Sequence, residues 1–139
     1  MRIIKLSEEE FSDLQDVQEF FRDDLPHREP RGKFRITPGR IAKDGLQSDE
    51  QLLFSYKGVI YYVALSATGR LDNDDECQDE YPYYFQIDMD TLRSIEIDLA
   101  EIEARYHRET NETKSLVQTQ GWPKIENLIF VKSLWDFLT

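Results

Sequence analysis

The spacing of apolar residues near the start of the chain is helical. In the segment SEEEFSDLQDVQEFFR, apolar side chains recur every three or four residues from Phe11 to Phe21. Ser7 and Glu10 stand at the spacing of a capping box, in which each would satisfy a free backbone N–H of the first turn. The pattern predicts an amphipathic helix over about residues 8 to 22.

A run of apolar and aromatic residues in the middle of the chain predicts a β-hairpin. QLLFSYKGVIYYVALSAT is dense in β-branched and aromatic residues, and Lys57-Gly58 permits a tight reversal. In an unbroken second strand, one face would carry Val59, Tyr61, Val63 and Leu65, and the other Ile60, Tyr62, Ala64 and Ser66. Because both faces are largely apolar, we expect a central strand covered on both sides, or the wall of a small barrel.

The remaining elements are predicted from shorter patterns. Strands are expected at KFRI, YPYYFQIDMD, SIEID and SLVQTQ, a helix capped by Asp98 at DLAEIEARYHR, and in the tail NLIFVKSLWDFL a strand followed by a short helix from Ser133. The order predicts one α+β domain over residues 1–139. Its sheet would be small, curved and mostly antiparallel, or a partly open β-barrel, with an N-terminal helix and one further flanking helix.

Three segments together resemble a known superfamily. They are GRIAKDGLQSDEQLLFSYKGVIYYVALSATGR, YPYYFQIDMDTLRSIEIDLAEIEARY and QGWPKIEN. They resemble the PUA-like superfamily, and within it the EVE and ASCH type of domain, over roughly residues 33 to 130. The resemblance rests on a pair of strands followed by an aromatic-rich strand and a helix. The acidic insertion at 72 to 80 and the low pI depart from many nucleic-acid-binding members.

The resemblance implies a pocket between the sheet and its flanking loops. A flipped or modified base could be held there by aromatic stacking and a few polar groups. The candidate pocket residues are Tyr62, Ser66, Tyr84 and Trp122. The alternative for each tyrosine is packing in the core, which is common for aromatic residues in strands.

Charge is distributed unevenly along the chain. The net charge is −11, yet residues 28 to 43 carry a local charge of +5 from Arg28, Arg31, Lys33, Arg35, Arg40 and Lys43 against Glu29. An acidic protein repels polyanions at long range, so any contact with nucleic acid would have to be local. These six cations could bind phosphate, with Phe34 as a stacking surface among them. Alternatively, they neutralise the acidic helix and the acidic run LDNDDECQDE.

The sequence contains no recognisable catalytic or metal-binding motif. His27 and His107 do not stand at metal-ligand spacing, and Cys77 lies among acids that disfavour its thiolate. We expect LDNDDECQDE, with six acids in ten residues, to be a mobile surface loop rather than a cation site. No cofactor is predicted. Without an apolar run suited to export or to a membrane, we expect a cytoplasmic protein.

Three functional hypotheses follow from these observations. The first is a non-catalytic module that binds RNA or DNA and reads a modified or unpaired base. The second is an acidic protein-interaction domain that binds a basic partner. The third, which follows the RNA cleavage ascribed to some ASCH-type relatives, is a metal-independent ribonuclease.

Overall fold

Six strands and three helices make up the fold in the computed structural model, which describes residues 1–139. They are β1 (Arg2–Lys5), α1 (Leu14–Glu19), β2 (Lys33–Ile36), β3 (Gln51–Tyr56), β4 (Val59–Ser66), β5 (Leu71–Asp72), β6 (Tyr83–Asp98), α2 (Leu99–Thr110) and α3 (Leu128–Leu138). After α1 the chain continues through a π-helical turn (Phe20–Asp24) and a 3-10 turn (Leu25–His27). None of the helices combines the length and the apolar character needed to cross a membrane.

The strands form one curled sheet in the order β1-β3-β4-β6-β2, with β5 also paired to β6. The β1–β3 pair is parallel and every other pair is antiparallel. The first residues of the long strand β6 pair with β2 and β5, and its later part pairs with β4. This arrangement confirms the predicted α+β class and the curved, mostly antiparallel sheet.

Side chains from the two faces of the sheet enter two separate cores. Along β1, Ile4 joins the core beneath α1, whereas Ile3 joins the core beneath α2 and α3. The first core contains Val17, Phe21 and Leu25, all fully buried. This alternation is the period of two expected for a sheet that is covered on both sides.

The predicted hairpin is confirmed. β3 and β4 are joined by Lys57 and Gly58, which both adopt a positive φ, of 50° and 80°. Two residues of that conformation match the right-handed twist of the flanking strands. The predicted assignment of faces in β4 is wrong, because an irregularity between Ile60 and Tyr62 shifts the register. Ile60 and Val63 therefore share the core beneath α2 and α3.

The first helix begins later than predicted. α1 starts at Leu14, and the Asp13 carboxylate accepts a hydrogen bond from the backbone N–H of Asp16 at 2.9 Å. Ser7 caps no helix, since its Oγ accepts a bond from the N–H of Glu9 within a turn. The residues before Asp13 therefore lie outside the helix, and residues 5–11 line one side of a pocket beside β2.

Two predictions for the second half of the chain are also wrong. SLVQTQ is not a strand, because the backbone N–H groups of Leu116 and Val117 donate to the Glu103 carboxylate of α2. The tail contains no strand, because Asn127 caps α3 and accepts a bond from the N–H of Phe130 at 3.0 Å. SIEID and all of YPYYFQIDMD except Tyr81 and Pro82 belong to the single strand β6.

Candidate functional site

An open pocket of about 380 Å³ lies beside β2, between residues 5–11 and the segment before β6. This volume falls in the range of about 300–1,000 Å³ that is usual for small-molecule sites. Its lining consists of Lys5, Leu6, Ser7, Glu9, Glu10, Phe11, Phe34, Arg35, Ile36, Thr37, Arg40, Glu80, Tyr81 and Trp122. Four of these residues are aromatic, of which Phe11 and Phe34 are buried and Tyr81 and Trp122 are partly exposed.

The aromatic side chains are fixed by their neighbours. Phe34 on β2 stacks against Phe85 on β6, with ring centroids 5.1 Å apart, and meets Trp122 edge to face at 6.1 Å. The indole Nε1 of Trp122 donates to the carbonyl oxygen of Lys5 at 3.2 Å. The Trp122 carbonyl accepts a bond from Nη1 of Arg2 at 2.9 Å. The loop that carries Trp122 is thus anchored to β1, and the ring is held before any ligand arrives.

Carboxylates lie against one aromatic wall. The Tyr81 hydroxyl donates to Oε1 of Glu10 at 3.2 Å, and Glu80 is the next residue along the chain. Burial, together with the negative charges of Glu10 and Glu80, raises the pKa of Tyr81 to about 12. The electrostatic potential at this side of the pocket is therefore negative.

A cation lies against the opposite aromatic wall. The Arg40 guanidinium stands 5.6 Å from the centroid of the Trp122 ring, within the usual range of a cation–π contact. Arg40 is exposed and forms no ion pair. The pocket therefore has a cationic edge at Trp122 and an anionic edge at Tyr81.

The centre of the basic segment is neutralised by the acidic run. Oδ2 of Asp75 lies 2.9 Å from Nζ of Lys33 and 2.8 Å from Nε of Arg35. Asn73 and the N–H of Cys77 donate to the other carboxylate oxygen. Although burial alone would raise the pKa of Asp75, these hydrogen bonds lower it far below its usual range. These bonds anchor the acidic run, and Asn73 is buried, so the run does not lie wholly at the surface as predicted.

The other four cations of the segment have different surroundings. The Arg28 guanidinium donates to the carbonyl of Lys33 and lies 4.9 Å from the centroid of the Phe20 ring. Arg31 is exposed and pairs with Asp90 at 3.2 Å. Lys43, like Arg40, is exposed and has no carboxylate within 4 Å. Of the six cations, Arg40 and Lys43 are therefore the two that are exposed and bonded to no carboxylate or carbonyl.

Of the four predicted pocket residues, only Trp122 lines this pocket. Tyr62 is half-buried and stacks on Phe21 at 4.2 Å, and burial raises the pKa of its hydroxyl. Ser66 is fully buried, and its Oγ donates to the carbonyl of Gln47 at 2.6 Å. The ring of Tyr84 lies against the Lys33 ammonium, at 4.5 Å. These three side chains contribute to packing and internal hydrogen bonding.

Sequence reasoning missed several residues at the pocket, namely Phe11, Tyr81 and the acids Glu9, Glu10 and Glu80. Phe11 was missed because the apolar periodicity assigned it to the buried face of the predicted first helix. The signal that could have revealed it is Asp13, a favourable N-cap directly before Leu14. A helix that begins at Leu14 does not include Phe11.

The pocket continues into an acidic groove beside α1. The groove is lined by Glu10, Phe11, Asp16, Glu19, Phe20, Asp23, Asp24, Arg28 and Tyr81, of which Glu10, Phe11 and Tyr81 also line the pocket. Neither histidine lines the pocket or the groove. His27 is hydrogen-bonded to the carbonyl of Asp23, and His107 to the carbonyl of Lys114. No group of three or more histidine, cysteine, aspartate or glutamate side chains is arranged to hold a metal ion.

Comparison with known proteins gives a structural neighbour. No family model matches the chain. No curated protein matches it either. The fold is similar to the crystal structure of the YTH domain of the Zygosaccharomyces rouxii MRB1 protein in complex with N6-methyladenosine RNA. The TM-score is 0.55 at 15% identity, over 98% of this chain and 84% of that one. At this identity the likeness concerns the fold alone, and the EVE and ASCH type of domain stays a prediction because no family model matches.

Proposed function

We propose that this protein binds single-stranded nucleic acid and holds one modified or unpaired base in the pocket at Trp122. The observation that carries the proposal is the pocket itself, an open space of about 380 Å³ whose lining includes Phe11, Phe34, Tyr81 and Trp122. Aromatic side chains bind unpaired bases by stacking, and sequence-specific RNA recognition commonly uses bases that are splayed out of a helix. The YTH neighbour, which was crystallised with methylated RNA, supports the same class of ligand.

The position of the phosphates follows from the free cations. Arg40 lies on Trp122, and Lys43, which is also exposed, is three residues farther along the chain. Lys33 and Arg35 are already bonded to Asp75. We therefore place the backbone of the nucleic acid at the Arg40 edge, with few phosphate contacts and with the base directed away from them.

Substitution of Trp122 tests this proposal. A Trp122→Ala change should weaken the binding of a single-stranded RNA that carries one N6-methyladenosine, because stacking of a base on an aromatic ring contributes about 1–3 kcal/mol. The matched control is Trp135→Ala, which removes the other tryptophan, on α3 and outside the pocket. Fluorescence anisotropy measures both affinities, and thermal melting verifies that both variants fold. Equal affinities for the two variants would contradict the proposal.

Spectroscopy provides a second measurement at the same residue. In a Trp135→Phe variant, Trp122 is the sole tryptophan, and a base stacked on its ring should quench its fluorescence.

Incubation of the same RNA with the protein in chelator, followed by gel analysis, tests metal-independent cleavage.

A second candidate function is supported by the groove beside α1. Five of its nine lining residues are acidic, against the single cation Arg28. This charge favours a basic protein segment. An Asp16→Lys/Glu19→Lys double variant should abolish such binding and leave the binding of RNA in the pocket largely intact.

A further inference from the structure

The charges around the pocket carry information about which base it accepts. Taken together, the pocket and the adjoining groove are lined by seven acids, Glu9, Glu10, Asp16, Glu19, Asp23, Asp24 and Glu80, and by four cations, Lys5, Arg28, Arg35 and Arg40. Arg35 is already paired with Asp75. The Lys5 ammonium donates to the carbonyls of Val117 and Thr119. The pocket alone is lined by three acids and three cations, so the excess of acids lies in the groove beside α1.

The carboxylates and the free cation of the pocket lie at different edges, and Glu10 and Glu80 are at the Tyr81 edge. Glu10 accepts a bond from the Tyr81 hydroxyl, and neither Glu9, Glu10 nor Glu80 forms an ion pair. Burial and the negative charges of Glu10 and Glu80 together raise the pKa of the Tyr81 hydroxyl. The free cation Arg40 lies instead at the Trp122 edge. A ligand with a phosphate at one end and a positive charge at the other would match this polarity.

From this polarity we propose that the pocket selects a base that carries a delocalised positive charge, such as adenine methylated at ring nitrogen N1. The inference rests on the proposed function, because it specifies the ligand of the same pocket. Aromatic faces attract cations that lie over them, and carboxylates at the rim add a Coulombic attraction. A neutral methylated base gains only the stacking. The charge of the base would also offset part of the repulsion between an acidic protein and RNA.

Two isomeric RNAs test this inference. N1-methyladenosine is protonated and positively charged at neutral pH, whereas N6-methyladenosine carries the same methyl group at another nitrogen and is neutral. Single-stranded nonamers that differ only in a central adenosine, N1-methyladenosine or N6-methyladenosine should be compared by anisotropy at one salt concentration. We expect the N1-methylated RNA to bind at least about ten-fold more tightly than its isomer, which corresponds to about 1.4 kcal/mol.

Neutral variants at the rim identify the cause of that preference. In a Glu10→Gln/Glu80→Gln variant, the affinity for the N1-methylated RNA should fall more than that for its isomer, so that their ratio narrows to about three-fold or less. Asp136→Asn, an exposed change on α3 outside the pocket, should leave the ratio unaltered. A ratio that persists in the double variant would overturn the assignment of the preference to these carboxylates.

The outcomes separate the inference from the function on which it rests. Tighter binding of N6-methyladenosine RNA, lost in Trp122→Ala, would overturn the charge inference and leave the proposed function standing. If the folded protein binds none of the three RNAs, or binds a trimethyllysine peptide in their place, both fail. A preference for the N1-methylated RNA that requires Trp122 and narrows in the glutamine variant supports both.

Discussion

At the scale of single residues, Asp75 decides how much of the basic segment can reach a ligand. Its carboxylate accepts hydrogen bonds from Lys33 and Arg35, and Lys33 is itself buried. A buried ammonium is costly unless it is paired. The sequence presents a run of cations that could bind phosphate, but two of them complete an internal ion-pair network. Arg40 and Lys43 remain exposed and without an ion-pair partner, so they can bind a ligand.

Removal of the Asp75 side chain should destabilise the protein strongly. We expect Asp75→Ala to lower the free energy of unfolding by about 3 kcal/mol, because Lys33 is left charged and buried without its partner. Asp90→Ala is the matched control, since it removes an exposed partner from Arg31 and should cost less than about 1 kcal/mol. Urea denaturation at pH 7 measures both values. Equal losses would contradict the network.

The same carboxylate should make stability depend on acidity. The pKa of Asp75 is lowered in the folded state, so its contribution is fully present above the unfolded value near 3.9 and is lost as the pH falls below it. The difference in stability between the wild type and Asp75→Ala should thus shrink as the pH is lowered from 5 towards 2. A constant difference over that range would show that Asp75 does not titrate against Lys33 and Arg35.

At the scale of elements, local chemistry predicts some boundaries and misses others. The β3–β4 hairpin is recognisable because Lys57-Gly58 and its flanking residues all favour the same structure. β1 was not predicted, since its four residues are specified by parallel pairing with β3, a contact between distant parts of the chain. The part of α3 before Ser133 was mistaken for a strand because LIFV has a high strand propensity, which the cap at Asn127 and packing against α2 override.

The two helix caps provide a test at this scale. Asn127 accepts a hydrogen bond from the N–H of Phe130, whereas the Asp98 side chain makes no such bond although it occupies the predicted N-cap of α2. We expect Asn127→Ala to cost about 1 kcal/mol and Asp98→Ala clearly less. Thermal or urea unfolding gives both values. If Asp98→Ala proves the more damaging, its carboxylate does cap α2 in solution.

At the scale of the whole molecule, the site could be predicted only in part. Its aromatic character and Trp122 follow from composition and from the resemblance to PUA-like domains. Tyr62 and Ser66 were misplaced because their surroundings depend on the register of β4 and on what covers each face. The acids at the rim come from segments about 70 residues apart, such as Glu10 and Glu80, and only the fold brings them together.

The uneven charge of the molecule leads to a prediction about salt. With Arg40 and Lys43 as the phosphate contacts, the slope of log affinity against log salt for single-stranded RNA should be about −1.4, or about seven-fold between 50 and 200 mM. Six contacts would give about −4 and a loss of several hundred-fold. Screening of the repulsion from a net charge of −11 would flatten the slope further.

Two variants connect that slope to particular cations. Arg40→Gln/Lys43→Gln should reduce the slope towards zero, because it removes the two free cations. Arg31→Gln should not, since Arg31 is paired with Asp90 and does not line the pocket. Titrations by anisotropy at four or more salt concentrations measure each slope. A wild-type slope near −4 would mean that all six cations of residues 28 to 43 bind phosphate. Lys33 and Arg35 would then have to leave Asp75 when the RNA binds.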